Sequence, residues 1–147
     1  MATAQTPVRT APSSATAVVE ALLDALRALD IDRAMSLFAD DIVYQNVPFP
    51  PDRGRAQVRR TLELFGKVAN HFDAKIHAIA EKDGVPLTER TDIIRGPGLD
   101  LEFWCCGTFE VRDGKIVLWR DRFDVGAIGL QLLTSPLRSV LRRARGR

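Results

Sequence analysis

Two aspartates and an arginine have the residue types and the spacing to carry out chemistry in this chain. Arg90 and Asp92 are two residues apart, and Asp121 stands between Trp119 and Phe123. Because alternate residues of a β-strand point to the same face, Arg90 and Asp92 share one face and Asp121 shares a face with the two aromatic rings. One ionised and one protonated carboxyl group can act as general base and general acid. An arginine between them would orient both.

A third segment adds two groups that can hold a water molecule. Tyr44 and Asn46 lie two apart in a predicted strand, so they also share a face. A water bound there could lose a proton to Asp121 while Asp92 donates to a leaving oxygen. Arg–Asp pairs on strands are more often surface ion pairs when considered singly. Three strands with polar groups on one face beside large aromatics favour a shared pocket in a curled sheet.

The elements that position these residues follow from the hydrophobic spacing. Apolar residues spaced three and four apart predict helices over Val18–Leu29, Arg53–Val68 and Val125–Arg147, the last either whole or broken at Pro136. The same spacing predicts a short helix with Met35, Leu37 and Phe38, which Asp40 and Asp41 end. Alternation predicts strands over Ile42–Val47, Phe72–Ala80, Val85–Arg95, Leu99–Val111 and Ile116–Phe123. Asp-Gly pairs after residues 82 and 112 predict tight hairpin turns.

This element order predicts one α+β domain with helices on one side of a curved antiparallel sheet. The chain of 147 residues is of ordinary single-domain size. Residues 1–13 are predicted to be a disordered tail, residues 14–142 the domain, and residues 143–147 a basic tail.

The composition limits the kinds of partner that this chain is expected to bind. With 21 Lys and Arg against 19 Asp and Glu, the net charge of +2 gives no indication of nucleic-acid binding. No apolar run is long enough to span a bilayer. The only cysteines, Cys105 and Cys106, are adjacent, and no Cys/His ligand set exists, so we expect no metal. Since the N-terminus also lacks a secretory apolar stretch, we expect a cytoplasmic protein.

Three motifs together resemble one known family. Val43–Pro51, Thr88–Asp92 and Leu118–Asp124 are similar, in matching order, to motifs of the limonene-1,2-epoxide hydrolases. The similarity extends from about Val18 to Asp124. It implies the cone-shaped, cystatin-like fold of the nuclear-transport-factor-like and polyketide-cyclase-like superfamily. In that fold a curved mixed or antiparallel sheet carries N-terminal helices on its concave side, and the enzymes use no cofactor.

The resemblance also implies a role for each residue. Asp121 is the general base, Asp92 the general acid toward the epoxide oxygen, and Arg90 the bridge between them, while Tyr44 and Asn46 position water. The residues expected to line an apolar substrate pocket are Leu23, Leu26, Phe103, Cys105 and Phe123. The family is typically dimeric through its sheet, which implies a homodimer.

The expected activity is one-step hydrolysis of an apolar epoxide to a vicinal diol. The substrate would be a limonene-type terpene, cyclic or lipid epoxide, attacked directly by water. One alternative is an isomerase or cyclase in which Asp121 removes a carbon-bound proton. The other is a non-catalytic module that binds an apolar ligand on the same fold. Burying three charged groups without a catalytic task is costly, which favours the enzyme.

Overall fold

The computed structural model describes residues 14–146, over which the chain forms four helices and six strands. The helices are α1 (Ala15–Arg27), α2 (Ile31–Ser36), α3 (Arg55–Val68) and α4 (Val125–Arg145). The strands are β1 (Phe38–Val47), β2 (Asp52–Arg53), β3 (His71–Lys82), β4 (Val85–Gly96), β5 (Leu99–Arg112) and β6 (Lys115–Phe123). The predicted N-terminal tail, residues 1–13, lies outside the described residues.

The six strands form one curved, unclosed sheet in the order β2-β1-β6-β5-β4-β3. Its neighbours are antiparallel except for β1 and β6, which are parallel, so the sheet is mixed. Both predicted Asp-Gly turns are two-residue hairpin loops with positive φ angles at both positions, as a type I′ turn requires. The predicted α+β class with helices against a curved sheet is confirmed.

The helices cover one face of this sheet and enclose the core. Ser14 caps α1 by accepting a hydrogen bond from the Ala17 amide at 3.1 Å, and Asp30 caps α2 in the same way through Arg33. Residues of α1 that are buried against the sheet and the neighbouring helices are Val18, Val19, Leu22, Leu23, Ala25 and Leu26. The core therefore lies between the helices and the same face of the sheet that carries the polar residues of β4 and β6.

The start of β1 differs from the prediction. Phe38, expected in the second helix, is the first residue of β1, and Asp40 and Asp41 lie within that strand instead of breaking it. Pairing with β6 shifts register between Phe38 and Val43. This irregularity gives the buried residues Phe38 and Ile42 a spacing of four, which is a helical spacing in the sequence. The short strand β2 was not predicted.

Helix α4 is continuous from Val125 to Arg145 despite Pro136, which resolves the open question of a whole or broken helix. It lies along β5, where the Ser135 hydroxyl donates to the Asp100 carbonyl and accepts from the Asp100 amide. The predicted boundary between residues 142 and 143 falls inside this helix. Within residues 14–146, no helix has the length and apolar character needed to cross a membrane.

Candidate active site

Strand register brings the polar residues of four strands into one row. Asn46 of β1 is paired with Asp121 of β6, Asp121 with Gly107 of β5, and Gly107 with Thr88 of β4. Arg90 follows two residues after Thr88, on the same face. Residues that are far apart in the sequence therefore lie next to one another on one side of the sheet.

Arg90 is the centre of this row and is 1% exposed. Its Nε donates to Asp92 Oδ1 at 2.8 Å, and its Nη2 donates to Asp121 Oδ2 at 2.6 Å. Nη2 also contacts Asp92 Oδ2 at 3.1 Å and Cys105 Sγ at 3.3 Å, while Nη1 donates to Thr88 Oγ1 at 3.0 Å. The guanidinium thus fixes both carboxyl groups. The surface ion-pair interpretation is wrong here, because all three charged groups are buried.

The two carboxyl groups face a cavity of about 440 Å³. Its lining is mostly apolar and comes from α1, α3, α4, the sheet and the segment after β1. The side chains that line it are Leu26, Tyr44, Asn46, Phe49, Thr61, Leu62, Phe65, Phe72, Asp92, Ile94, Leu101, Phe103, Trp119, Asp121, Phe123, Val125, Ile128, Gly129 and Leu132. A cavity of this size and character suits a small apolar ligand with a few polar contacts.

Tyr44 and Asn46 stand beside Asp121 in this cavity. The Asn46 side-chain amide donates to the Tyr44 hydroxyl at 2.8 Å, and the Tyr44 ring packs on Trp119 with centroids 4.3 Å apart. Burial, and then the neighbouring Asp121 carboxylate, raise the pKa of Tyr44 above its ordinary value. The hydroxyl therefore keeps its proton and can donate a hydrogen bond.

Asp121 has a free acceptor inside the cavity. Its Oδ2 is held by Arg90, but its Oδ1 is buried and has no hydrogen-bond partner among the described residues. A buried carboxylate oxygen without a partner is costly and is expected to accept a hydrogen bond from a bound molecule. Asp121 is thus the carboxylate of the pair with an oxygen available to accept a hydrogen bond.

Asp92 differs from Asp121 in its environment. Burial, opposed by the smaller effect of Arg90 and supported by the Asp121 charge, raises the pKa of Asp92 to about 6. Both oxygens of Asp92 are held by Arg90. A carboxyl group that keeps its proton close to neutral pH can donate it to a developing alkoxide.

The residues predicted to line the pocket divide into two groups. Leu26, Phe103 and Phe123 line the cavity, whereas Leu23 and Cys105 are fully buried and do not. Leu23 belongs to the helix core, and Cys105 lies against Arg90. Burial, then the Asp121 charge, raise the pKa of the Cys105 thiol above its ordinary value, so it stays protonated.

Sequence reasoning missed the contributions of α3 and α4. Phe65 from α3 and Ile128 and Leu132 from α4 line the cavity. Their helical spacing was visible, but the same spacing is produced by ordinary core packing. Thr88 was not predicted as a site residue, and its hydroxyl accepts a hydrogen bond from the Arg90 guanidinium.

Comparisons with known proteins place the chain in a family. Residues 13–133 match a family model described as the limonene-1,2-epoxide hydrolase catalytic domain. Epoxide hydrolase EphG of Mycobacterium tuberculosis is 48% identical over 110 residues, which are 73% of this chain and 71% of EphG. A solved M. tuberculosis LEH-like epoxide hydrolase is 38% identical, with a TM-score of 0.74 over 90% of this chain and 96% of that one.

A more distant solved structure shares the fold alone. It is a putative SnoaL-like polyketide cyclase from Shewanella denitrificans, 15% identical, with a TM-score of 0.75 over 82% of this chain and 97% of that one. The architecture therefore does not select the reaction, whereas the sequence match over most of the chain does. The chain belongs to the limonene-1,2-epoxide hydrolase family and is an epoxide hydrolase of that type.

Proposed function

We propose that this enzyme opens an apolar epoxide to a vicinal diol in one step, by direct attack of water and without a cofactor. One observation carries the proposal. Arg90 joins a carboxylate with a free buried oxygen, Asp121, to a carboxyl group with a raised pKa, Asp92, in an apolar cavity. These are the two proton-transfer partners that a concerted ring opening needs.

Asp121 is proposed as the general base. Its Oδ1 accepts a proton from a water that the Tyr44 hydroxyl and the Asn46 side chain hold in place. In the same step the water oxygen forms a bond to one epoxide carbon while the bond from that carbon to the epoxide oxygen breaks. Asp121 takes the proton and makes no bond to carbon, so no ester forms.

Asp92 is proposed as the general acid. Ring opening leaves negative charge on the epoxide oxygen, and proton donation by Asp92 neutralises it. Arg90 keeps the two carboxyl groups in fixed positions, and with one retained proton the trio is neutral, which is the less costly state to bury. After ring opening Asp121 carries the proton and Asp92 is ionised. The starting state returns when that proton passes to Asp92, or when Asp121 releases it to solvent and Asp92 takes one up from solvent.

The surroundings of Asp92, Cys105 and Asp121 support chemistry without a metal. Within the described residues, Asp92, Cys105 and Asp121 place one ligand atom each within 4.8 Å of one another. Arg90 already donates to all three and supplies the positive charge at this point. The protonated thiol of Cys105 is also a poor metal ligand.

The cavity supports an apolar substrate. Aromatic and aliphatic side chains form most of its surface, and its polar groups gather around Asp92 and Asp121. We propose a terpene, cyclic or lipid epoxide whose ring oxygen faces Asp92 and whose hydrocarbon part contacts Phe103 and Phe123. Homodimer formation through the sheet and a cytoplasmic location remain predictions.

The test is diol formation from a panel of terpene, cyclohexene, styrene and lipid epoxides, read by mass spectrometry. We expect Asp121→Asn to lower the rate at least about 100-fold on any substrate that is turned over. Asp100→Asn is the matched control, because Asp100 is a buried carboxylate paired with Arg142 outside the cavity. Isomerised products, binding without turnover, or near-normal rates for Asp121→Asn would contradict the proposal.

A further inference from the structure

Helix α4 turns an apolar face away from the rest of the protein. Leu133 is 82% exposed and Leu137 is 65% exposed, although Ser135 between them is buried against β5. At 3.6 residues per turn, five of the exposed apolar residues of α4 occupy one side of the helix, opposite the buried serines. That side consists of Leu130, Leu133, Leu137, Val140 and Leu141. Such a continuous outward apolar face on a helix indicates a surface that is covered in use.

The second half of α4 is strongly basic. Arg138, Arg142, Arg143 and Arg145 lie within its last eight residues, and α4 contains no aspartate or glutamate. Arg142 is paired with Asp100 of β5 at 2.8 Å. The other three have no acidic partner on their own helix, so the end of α4 carries excess positive charge.

Three of these arginines also share a second cavity. Arg138, Arg142 and Arg145 line, with Leu141 and Asp100, a space of about 290 Å³. Guanidinium groups converging on one space suit a phosphate, which they bind by paired hydrogen bonds. Asp100 is paired with Arg142 in this space, which leaves Arg138 and Arg145 for an anion. Leu141 also belongs to the outward apolar face, so the arginine-lined space adjoins that face.

The N-terminal half of α4 also borders the rim of the active-site cavity. Val125 and Leu132 of α4, and Phe49 from the segment after β1, are exposed large hydrophobic residues that also line that cavity. These residues lie where the cavity opens at the protein surface. A surface that covers the outward face of α4 would therefore lie against the same helix that borders this rim.

We propose that α4 docks on an anionic lipid surface, with its outward leucines in the acyl boundary and its arginines on headgroup phosphates. An amphipathic helix with a basic side and an apolar side has this property. A second copy of the chain would cover the leucines but would bring another α4 without a single carboxylate. An anionic bilayer surface offers acyl chains to the leucines of α4 and phosphate groups to its arginines. Docking would place the rim of the active-site cavity next to the phase in which apolar epoxides concentrate.

The test is cosedimentation of the purified full chain with vesicles, in the absence of any epoxide. We expect binding to mixed phosphatidylcholine–phosphatidylglycerol vesicles, weakening with added salt, and much less binding to phosphatidylcholine alone. Leu133→Glu/Leu137→Glu and Arg138→Glu/Arg145→Glu should each weaken binding at least about tenfold. Leu64→Glu and Arg60→Glu, at exposed positions of α3, are the matched controls and should bind like the parent chain.

Several results would overturn the proposal. These are no binding to anionic vesicles, equal binding by all the variants, or binding of inorganic phosphate alone. Conversion of a dimer to a monomer by Leu133→Glu/Leu137→Glu, without vesicle binding by the parent chain, would assign the face to a second copy. Diol formation by the same variants from a small water-soluble epoxide should remain, since Leu133 and Leu137 do not line the active-site cavity. This readout separates failure of docking from failure of the proposed hydrolase.

Discussion

At the residue scale, two identical side chains receive different properties from their surroundings. Asp92 has both oxygens on Arg90, whereas Asp121 has one oxygen on Arg90 and one without a partner in the described part of the chain. The pKa of Asp92 is raised to about 6, chiefly by burial. The proposed division into base and acid depends on this difference and not on residue type.

The raised pKa of Asp92 predicts how activity depends on pH. We expect kcat/KM to fall as pH rises through about 6, because the acid must be protonated in the free enzyme. Asp92→Asn keeps the shape and an N–H donor but cannot transfer a proton, so activity should fall steeply and this alkaline limb should disappear. Initial rates of diol formation across pH check both points. If the alkaline limb of kcat/KM persists in Asp92→Asn, it reports the titration of another group.

At the element scale, register explains how Arg90 fits inside the sheet. Gly107 stands between Thr88 and Asp121 on neighbouring strands. A Cβ atom at Gly107 would collide with Arg90 Nη1 and would lie 2.7 Å from Thr88 Oγ1 and 2.8 Å from Phe109 Cε2. The missing side chain of Gly107 therefore provides the space that the guanidinium occupies.

We expect Gly107→Ala to displace Arg90 and to lower kcat about 100-fold, as small misplacements at a reacting centre can do. Because Arg90 lowers the pKa of Asp92, its displacement should also move the alkaline limb of kcat/KM to higher pH. Gly66→Ala is the control, since its nearest neighbour is an Ile31 side-chain atom at 3.9 Å. Unchanged kcat and an unchanged limb in folded Gly107→Ala would contradict this account of the register.

The local sequence pattern predicted which side chains of the site strands share a face, but it did not predict every pairing between strands. Alternation in β4 and β6 correctly placed Arg90, Asp92 and Asp121 on the inner face, because side-chain direction in a strand is a local property. The parallel pairing of Asn46 with Asp121 joins residues far apart in the chain, and nothing local specifies it. The start of β1 at Phe38 was missed because the register shift there produces helical spacing.

At the scale of the whole molecule, the buried trio links the active site to stability. Asp92 is 5% exposed, and its pKa in the folded chain lies above the ordinary value of 3.8. The folded state therefore binds this proton more tightly than the unfolded state does. The stability that this proton contributes is complete below about pH 4 and is lost as pH rises through about 6.

As pH rises from about 4 through about 6, we expect ionisation of Asp92 to lower the free energy of unfolding by about 3 kcal/mol. The measurement is urea unfolding of the parent chain and of Asp92→Asn from about pH 4 to about pH 7. Asp92→Asn should gain stability relative to the parent as pH rises, because the amide carries no charge. A difference between the two chains that stays constant with pH would contradict the raised pKa.

Direct attack by a water that Asp121 activates can be tested by a single turnover in water labelled with heavy oxygen. With enzyme in excess over epoxide, we expect every diol molecule to carry one labelled oxygen from the first turnover. An ester route through Asp121 would transfer an unlabelled carboxylate oxygen to the diol and leave the label in the protein. Unlabelled diol in the first turnover, or a trapped ester on Asp121, would contradict the mechanism.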